Sequence, residues 1–310
     1  MKKIAWFTEG GWGGKVPRTH RNMKAPSDWI CLMDADHYPI TLSHTVTEKY
    51  DLGIVVLPKK GMDVLSQYPL VENMRKCCDK IAFMQEGPNW FFQDYSIEHQ
   101  IWFYNTLMEM DWLYVHNTTD LIYYKGLTGK ECRLMPSTIV EELVKDIQPP
   151  VKRENVMIGG NFCSWYGGFD SYIVAQEFDC SIYVPSMGRK IANEEQMHNL
   201  THLPYMDWLD WMKTLNNFKY GIHLMRTHAA GTFAMNCSYL GIPCIGYDGL
   251  DTQRVLHPNL TVENGDLETA VKLAKRLKED EDFYKENSIL TKELCHQHHV
   301  EKVFLERIKL

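Results

Sequence analysis

Short apolar runs alternate with longer amphipathic segments through the first half of the chain. The apolar runs predict β-strands over residues 3–7, 52–57, 80–84, 112–116 and 133–136. The segments between them repeat apolar positions every three or four residues and predict helices over residues 28–33, 65–78, 97–110 and 118–125. Strands that alternate with helices are typical of a parallel sheet covered by helices.

The same alternation restarts after residues 148–154, whose two prolines and several charges predict a linker. Strands are predicted over residues 155–158, 180–184, 220–225 and 242–247. Helices are predicted over residues 168–177, 205–215, 229–240, 266–278 and most of 282–310. The expected fold class is therefore α/β, with two facing Rossmann-like domains and a cleft between them. We place the first domain at residues 1–148 and the second at residues 149–310, with a terminal helix that packs back on the first.

Composition limits the class of protein and its expected cellular location. The chain has 310 residues, 45% of them hydrophobic and 24% charged, which fits a globular protein of two domains. Neither an apolar run long enough for a transmembrane helix nor a signal peptide is recognisable. Nine cysteines without a Cys-x-x-Cys spacing predict reduced thiols and a cytoplasmic protein. The net charge of −7 argues against a general nucleic-acid binder, although a local basic patch remains compatible with it.

The most informative stretch is residues 227–249, where a turn of small residues at 229–232 opens a predicted helix. Without bulky side chains there, a phosphate oxygen can approach the main-chain N–H groups of the helix start. The helix dipole favours negative charge at the same place. Arg226 ends an apolar strand just before this turn. The stretch therefore predicts an anion-binding site.

Three further loops follow predicted strand ends in the second half. Gly159 and Gly160 follow the strand 155–158, where a dinucleotide-binding fold places its phosphate loop. Arg189 and Lys190 follow the next strand, and their charges fit either an anion site or a solvated turn. Gln253 ends the loop 249–253, which fits either a ligand contact or a plain strand-to-helix connection.

A glycine-rich loop with basic side chains covers residues 9–24 of this acidic chain. Its glycines, Gly11 among them, permit close approach of the main chain to a ligand. Arg18 and Arg21 contribute to a local positive patch that follows Trp12. The alternative is a mobile surface loop with solvated charges, since the spacing does not match G-x-G-x-x-G.

Carboxylates in the first half provide candidates for a general base. Glu86 follows the strand 80–84 beside a glycine, where it can accept a proton from a hydroxyl. Asp94 and Asp36 are the alternatives, although Asp36 belongs to an Asp-x-Asp sequence at the end of a predicted helix, where a chance match is the simpler explanation. Trp90 begins an aromatic run that is either a platform for a sugar or base, or part of the core.

Several of these segments resemble glycosyltransferases of the GT-B class, in which two Rossmann-like domains face each other. In the second half the resemblance lies in IGGN (158–161), PSMGRK (185–190) and residues 228–248. A resemblance to glycosyltransferases of tailed phages lies in RTHRNM (18–23), QEGPNWFFQDY (85–95) and WYGGFD (165–170). Some of those enzymes transfer a sugar to the hydroxymethyl group of a modified DNA base. The Glu-x7-Glu pattern of retaining members is absent between Thr227 and Asp248.

This resemblance implies transfer of a sugar from a nucleotide diphosphate sugar, with a UDP-sugar expected, to a hydroxyl acceptor such as a hydroxymethylated base in phage DNA. The donor-binding residues that it implies are Gly159, Gly160, Arg189, Lys190, Arg226, Thr227, Ala230, Gly231, Thr232 and Gln253. The acceptor-binding residues that it implies are Gly11, Trp12, Arg18, Arg21 and Trp90. Glu86, or else Asp94 or Asp36, would deprotonate the acceptor, and direct displacement with Glu86 as base predicts inversion.

Other readings of the same pattern stay open. The protein can be a GT-B glycosyltransferase of a glycan or small molecule, a nucleotide-sugar epimerase that shares the donor half, or a clamshell binder without chemistry. The resemblance implies no obligatory metal, because the helix start at 229–232 and Arg226 would stabilise the leaving diphosphate. The histidines at 296, 298 and 299 have spacings that could hold a metal, but no carboxylate or cysteine pattern supports a site there. Expected partners are a nucleotide sugar and double-stranded DNA carrying modified bases, with no membrane; a phage-encoded chain would act in the host cytoplasm.

Overall fold

The apolar runs of the chain form two separate sheets, each within its own packing unit. The computed structural model describes residues 2–10, 13–58, 61–85, 87–160, 162, 164–185 and 196–308. A first unit comprises the residues up to His20, Lys24–Pro136 and the residues from Phe304 onward. A second unit comprises Arg21–Met23 and Ser137–Val303. The sequence predicts a terminal helix that packs back on the first domain, and the residues of the last helix from Phe304 onward do cluster with the first unit.

Seven strands form the sheet of the first unit. They are β1 (Ile4–Thr8), β2 (Gly14–Lys15), β3 (Asp36–Pro39), β4 (Tyr50–Val56), β5 (Cys78–Met84), β6 (Trp112–Val115) and β7 (Cys132–Leu134). Their order is β2-β3-β1-β4-β5-β6-β7, and they pair in parallel except at the edge strand β2. The helices are α1 (Ser27–Leu32), α2 (Met62–Leu65), α3 (Leu70–Cys77), α4 (Ile97–Glu109) and α5 (Thr118–Thr128), with 3-10 turns at Ile40–Thr45 and Asn89–Asp94.

Six strands form the sheet of the second unit, and they all pair in parallel. They are β8 (Glu154–Ile158), β9 (Ile182–Val184), β10 (Leu200–His202), β11 (Phe218–His223), β12 (Cys244–Tyr247) and β13 (Thr261–Val262). The helices are α6 (Glu141–Val144), α7 (Gly168–Ala175), α8 (Trp208–Leu215), α9 (Thr232–Tyr239), α10 (Asp251–Leu256), α11 (Leu267–Glu279) and α12 (Glu281–His298). Short 3-10 turns lie at Ser164–Tyr166, Gln176–Phe178 and Pro258–Leu260, and α13 (Glu301–Ile308) ends the described chain.

The second sheet has the strand order β10-β9-β8-β11-β12-β13. Counted from its first strand, this order is 3-2-1-4-5-6, which is the doubly wound arrangement of dinucleotide-binding folds. The direction of winding reverses between β8 and β11, which pair with Ile158 opposite Ile222. A ligand crevice is expected beyond the carboxyl ends of these two strands. The predicted α/β fold class is confirmed in both units.

Part of the aromatic run after β5 belongs to the core of the first unit. Phe92 is buried, and its ring stacks on that of Phe103 in α4 with the centroids 3.8 Å apart. Tyr95 packs against the same cluster. Trp90 is only half-buried. The run is therefore divided between core packing at Phe92 and a more accessible ring at Trp90.

Strand β3 was not predicted from the sequence. The helix predicted over residues 28–33 is confirmed as α1 (Ser27–Leu32), and Asp34 then adopts a left-handed backbone with φ of 50°. That conformation suits aspartate better than most residues and turns the chain out of the helix. Asp36, which the sequence places at the end of this helix, therefore lies beyond it. Asp36 then begins β3, opposite Ala5 of β1.

The packing passes from the first unit to the second between Pro136 and Ser137, whereas the sequence places the domain boundary after residue 148. The Ser137 hydroxyl donates a hydrogen bond to the main-chain oxygen of Ala230 over 2.8 Å, which attaches it to the second unit. The limits of independently folding domains stay a prediction. Within the part of the chain that the structure describes, no helix has the length and apolar character needed to cross a bilayer.

Candidate active site

The carboxyl ends of β8 and β11 meet at the switch point of the second sheet. Gly159, just after β8, donates its main-chain N–H to the oxygen of Ile222 over 2.7 Å. The chain leaves β11 through Leu224 and Met225 to Arg226, and α9 begins a few residues later. The structure therefore brings Gly159 and the chain that leads to α9 together at the edge of the sheet where ligands bind in such folds.

The start of α9 presents main-chain N–H groups rather than a capping side chain. Gly231 precedes the helix with a φ of 67°, and among the described residues no side chain caps this end. Two side chains fix the main chain of this turn. The Ser137 hydroxyl donates to the main-chain oxygen of Ala230, and the Thr252 hydroxyl donates to that of Gly231 over 3.0 Å. The helix start is thus a fixed, positively polarised end that suits an anion.

Arg226 is held in one orientation by a buried carboxylate. Its Nε lies 2.7 Å and one terminal nitrogen 2.9 Å from the two oxygens of Asp170, which is the two-pronged geometry of a strong ion pair. Tyr247 also donates its hydroxyl to Asp170 over 3.1 Å, and burial raises the pKa of that phenol. The hydrogen bond to Asp170 raises the pKa of Arg226, whose side chain remains about half exposed (52%). The guanidinium is therefore a charged, pre-positioned group.

The glycines that follow β8 make room for aromatic rings of the chain itself. A Cβ at Gly159 would lie 2.6 Å from the ring of Phe233, and one at Gly160 would lie 2.7 Å from the ring of Tyr166. Gly160 also has a φ of 84°, which disfavours any larger residue. These two positions shape the switch point through close packing, in addition to any contact with a ligand.

The remaining residues that were predicted to bind the sugar-nucleotide donor lie in different surroundings. The side-chain amide of Gln253 is fully buried and donates to the main-chain oxygen of Cys244 over 2.9 Å, so it braces β12. Thr227 lies beside Gly249, where an added Cβ would come 3.3 Å from the Thr227 carbonyl oxygen. Arg189 and Lys190 lie outside the described residues.

In the first unit, a buried network fixes the loop that follows β5. The main-chain N–H of Gln85 donates to the main-chain oxygen of Tyr114. The main-chain N–H of Asn89 donates to the Asp120 carboxylate over 3.0 Å. The side-chain amide of Asn117 donates to the other oxygen of Asp120 over 2.6 Å. Both sides of position 86 are thus anchored at the carboxyl edge of the sheet, while Glu86 itself lies outside the described residues.

The two alternative carboxylates are placed differently. Asp36 lies at the start of β3, away from the carboxyl edge that carries Gln85, and it accepts a hydrogen bond from the Tyr50 hydroxyl over 2.9 Å. The structure therefore does not bring Asp36 to the expected ligand edge of its sheet. Asp94 ends the 3-10 turn after β5 and is exposed.

The basic loop is divided between the two units. Arg18 is exposed in the first unit, and Gly11 and Trp12 lie outside the described residues. Arg21 belongs to the second unit, where its guanidinium lies 2.8 Å from Asp207 and 2.5 Å from Asp210. Hydrogen bonds to Asp210 and Asp207 raise the pKa of Arg21. Arg21 therefore already has two carboxylate partners, which compete with the acceptor contact that the resemblance implies.

Several residues of this arrangement were missed by sequence reasoning. They are Ser137, Asp170, Tyr247 and Thr252, which hold the turn before α9 or the guanidinium of Arg226. Asp170 alone had a local signal, because it stands in the first turn of the predicted helix 168–177. In the described part of the chain no group of three or more histidine, cysteine or acidic side chains could hold a metal ion. Of the C-terminal histidines, His299 donates from Nδ1 to the Ser137 carbonyl over 2.8 Å.

Asp28, in the first turn of α1, is a buried carboxyl whose only described hydrogen-bond donors are main-chain N–H groups. Its side chain accepts from the N–H of Trp29 over 2.8 Å, and burial raises its pKa to about 7. An unfolded aspartate titrates near a pKa of about 4. Between about pH 4 and pH 7 the folded chain therefore keeps a proton that the unfolded chain has released, so the free energy of unfolding falls as the pH rises through this window.

Asp28→Asn is accordingly expected to be more stable than the wild-type protein at pH 8, by about 1–3 kcal/mol, because asparagine carries no charge to bury and still accepts from Trp29. Urea denaturation from pH 4 to pH 8 measures the effect. The variant should lose the fall in stability with rising pH that the wild type shows. Identical pH profiles for the two proteins would show that Asp28 does not titrate in this window.

The two doubly wound α/β units have the fold of the GT-B glycosyltransferases, and solved structures of that class match nearly the whole chain. An alpha-glucosyltransferase in complex with UDP and DNA containing an HMU base matches with a TM-score of 0.65 at 13% identity, over 99% of this chain and 98% of that one. HepE of Anabaena, in complex with UDP and glucose, matches with a TM-score of 0.67 at 10% identity, over 100% and 98% of the two chains.

A sucrose-phosphate synthase from Thermosynechococcus elongatus matches with a TM-score of 0.60 at 12% identity, over 84% of this chain and 72% of that one. No protein-family model and no curated protein sequence matches the chain. At these identities the similarity establishes the fold, so any assignment of activity depends on the residues at the site.

Proposed function

We propose that this protein is a glycosyltransferase that moves a sugar from a UDP-sugar to a hydroxyl acceptor. The observation that carries the proposal is the guanidinium of Arg226, held by Asp170 just before the uncapped start of α9 at the switch point of the second sheet. Together the two features offer fixed positive charge to a diphosphate. Similar structures in complex with UDP or UDP-glucose support the choice of nucleotide.

In the proposed reaction, the bond between the anomeric carbon and the diphosphate oxygen breaks, and a bond from the acceptor oxygen to that carbon forms. The departing UDP takes the bonding electrons, so negative charge grows on its diphosphate in the transition state. Arg226 and the N–H groups of α9 stabilise that charge without reorganising, because Asp170, Ser137 and Thr252 hold their surroundings in place.

The acceptor hydroxyl loses a proton as it attacks, and we propose that the carboxylate of Glu86 accepts that proton. The support is its position in sequence directly after the anchored Gln85, at the carboxyl edge of the first sheet. Asp94 is the second candidate, since its exposed carboxylate follows in the same loop. We further propose that the acceptor is a hydroxymethylated base in DNA, which the similarity to a DNA-bound alpha-glucosyltransferase and the basic residues around Arg18 support.

UDP and UDP-glucose are expected to raise the unfolding temperature of the protein, because each binds only the folded state. A ligand at a hundred times its Kd adds about 2.7 kcal/mol of stability. The matched controls are GDP and CDP at the same concentrations, which carry the same diphosphate but not the uracil base. Absence of stabilisation by UDP and UDP-glucose at millimolar concentration would contradict the proposed donor.

Transfer itself is tested by mass spectrometry of DNA incubated with the protein and UDP-glucose. Duplexes that contain 5-hydroxymethyluracil or 5-hydroxymethylcytosine are expected to gain one hexose, and unmodified duplexes are expected to gain none. Glu86→Gln should reduce this transfer by about a hundredfold while UDP still binds, whereas Asp94→Asn should leave it unchanged. Sugar transfer to a glycan but not to DNA would retain the enzyme class and reject the acceptor. Conversion of the donor sugar without any acceptor would indicate an epimerase.

A further inference from the structure

His223, the last residue of β11, is a buried imidazole with no hydrogen bond. Only 4% of the residue is exposed, and within the described chain neither ring nitrogen has a partner. A buried polar group left without a partner destabilises the fold, so native proteins rarely keep one without a reason. A phenylalanine would fill similar space at β11 without that cost.

The imidazole lies at the switch point rather than elsewhere in the core. Its ring centroid is 5.3 Å from that of Phe233, in the first turn of α9, and 6.2 Å from that of Tyr166, which it faces in a stacked arrangement. A Cβ at Gly159 would come within 2.9 Å of the His223 ring. His223 therefore reaches the same helix start that we assign to the diphosphate.

The surroundings of His223 determine which ligand groups it can serve. Burial lowers its pKa to about 4, and its described ring contacts are aromatic, so the imidazole is neutral at physiological pH. A neutral imidazole offers one N–H donor and one acceptor nitrogen. A phosphate oxygen can use only the donor, whereas a sugar hydroxyl can both donate and accept.

Since the diphosphate already has Arg226 and the start of α9, we propose that His223 determines donor specificity by binding a hydroxyl of the transferred sugar. This inference rests on the proposed function and extends it to the sugar half of the donor.

The test compares the affinities of UDP and UDP-glucose, measured by titration calorimetry, in the wild type and in His223→Phe. The variant keeps a planar ring and loses both nitrogens. We expect its affinity for UDP to stay within about twofold of the wild type, and its affinity for UDP-glucose to fall about tenfold. His223→Gln, which retains a donor and an acceptor, should restore part of the affinity for UDP-glucose.

His257 provides a matched control, because it is also a buried histidine of the second unit but has partners for both nitrogens. Its Nε2 donates to the Ala234 carbonyl over 3.0 Å, and its Nδ1 accepts from the main-chain N–H of Cys244 over 3.3 Å. His257→Phe should therefore lower the unfolding temperature, whereas His223→Phe should raise it.

The outcomes separate the inference from the function on which it rests. An unchanged ratio of UDP-glucose to UDP affinity in His223→Phe would overturn the role of His223 and leave the glycosyltransferase proposal intact. A parallel loss of both affinities would also overturn it, since a general distortion of the site would then explain the result. A wild-type protein that binds neither ligand would reject the proposed function itself and the role of His223 with it.

Discussion

Replacing Arg226 with alanine is expected to lower kcat/KM for sugar transfer by about 100-fold to 1,000-fold. Two nitrogens of the guanidinium hold Asp170, and its remaining N–H groups are left for the oxygens of the diphosphate. Because charge accumulates on that diphosphate as the sugar departs, the interaction strengthens in the transition state and its loss falls mainly on kcat. Steady-state kinetics with UDP-glucose and the acceptor identified by mass spectrometry measures the effect.

Related variants distinguish the contribution of the Arg226 charge to activity from the contribution of its fixed orientation. Arg226→Lys keeps the charge without the two-pronged contact to Asp170, so an intermediate loss of about tenfold is expected. Asp170→Asn should produce a similar loss, because the guanidinium is no longer held by a carboxylate. Arg276→Ala is the control, since this arginine lies on α11, with its guanidinium 3.8 Å from the centre of the Phe283 ring. Equal activities of Arg226→Ala and Arg276→Ala would remove Arg226 from the active site.

The parts of the fold that depend on local pattern were predictable. Apolar runs located most strands of both sheets, whereas α5 continues beyond its predicted end at residue 125 and stops at Gly129, which has a left-handed conformation. The strand β3 was missed because its four residues, Asp36–Pro39, include no apolar run. Its place in the sheet depends on pairing with β1, which no local pattern encodes.

The candidate site shows the same division. Arg226 and the turn before α9 were found from sequence because a basic residue and a run of small residues stand close together in the chain. Their supports come from far away, since Asp170 is 56 positions from Arg226 and Ser137 is 93 positions from Ala230. Single-sequence reasoning cannot see such pairs. It also assigned Gln253 to a ligand, because a polar residue in a loop gives no sign that the fold will bury its amide against β12.

Replacing Gly231 with alanine is expected to destabilise the second unit by about 3 kcal/mol. Its φ of 67° lies in the left-handed region, where an L-residue costs about 1–2 kcal/mol. In addition, the new Cβ would lie 1.8 Å from the Thr252 hydroxyl oxygen, so Thr252 must move and give up its hydrogen bond to the Gly231 carbonyl, worth about 1 kcal/mol. Urea denaturation and hydrogen exchange of the α9 amides measure the loss, and UDP affinity should fall with it, because the helix start is displaced.

Gly126 supplies the contrasting control for that prediction. It lies within α5, and a Cβ there would meet nothing within 4 Å, so Gly126→Ala should stabilise the protein by about 0.5–1 kcal/mol through helix propensity alone. Combining Gly231→Ala with Thr252→Ala removes the hydroxyl that the new methyl group strikes, although the Thr252 Cβ would still be only 3.1 Å away. The double variant should therefore recover part of the stability and show non-additive free energies. Stability gains of similar size at Gly231 and Gly126 would mean that the turn before α9 does not require glycine, and a rigid anion site at that helix start would no longer be supported.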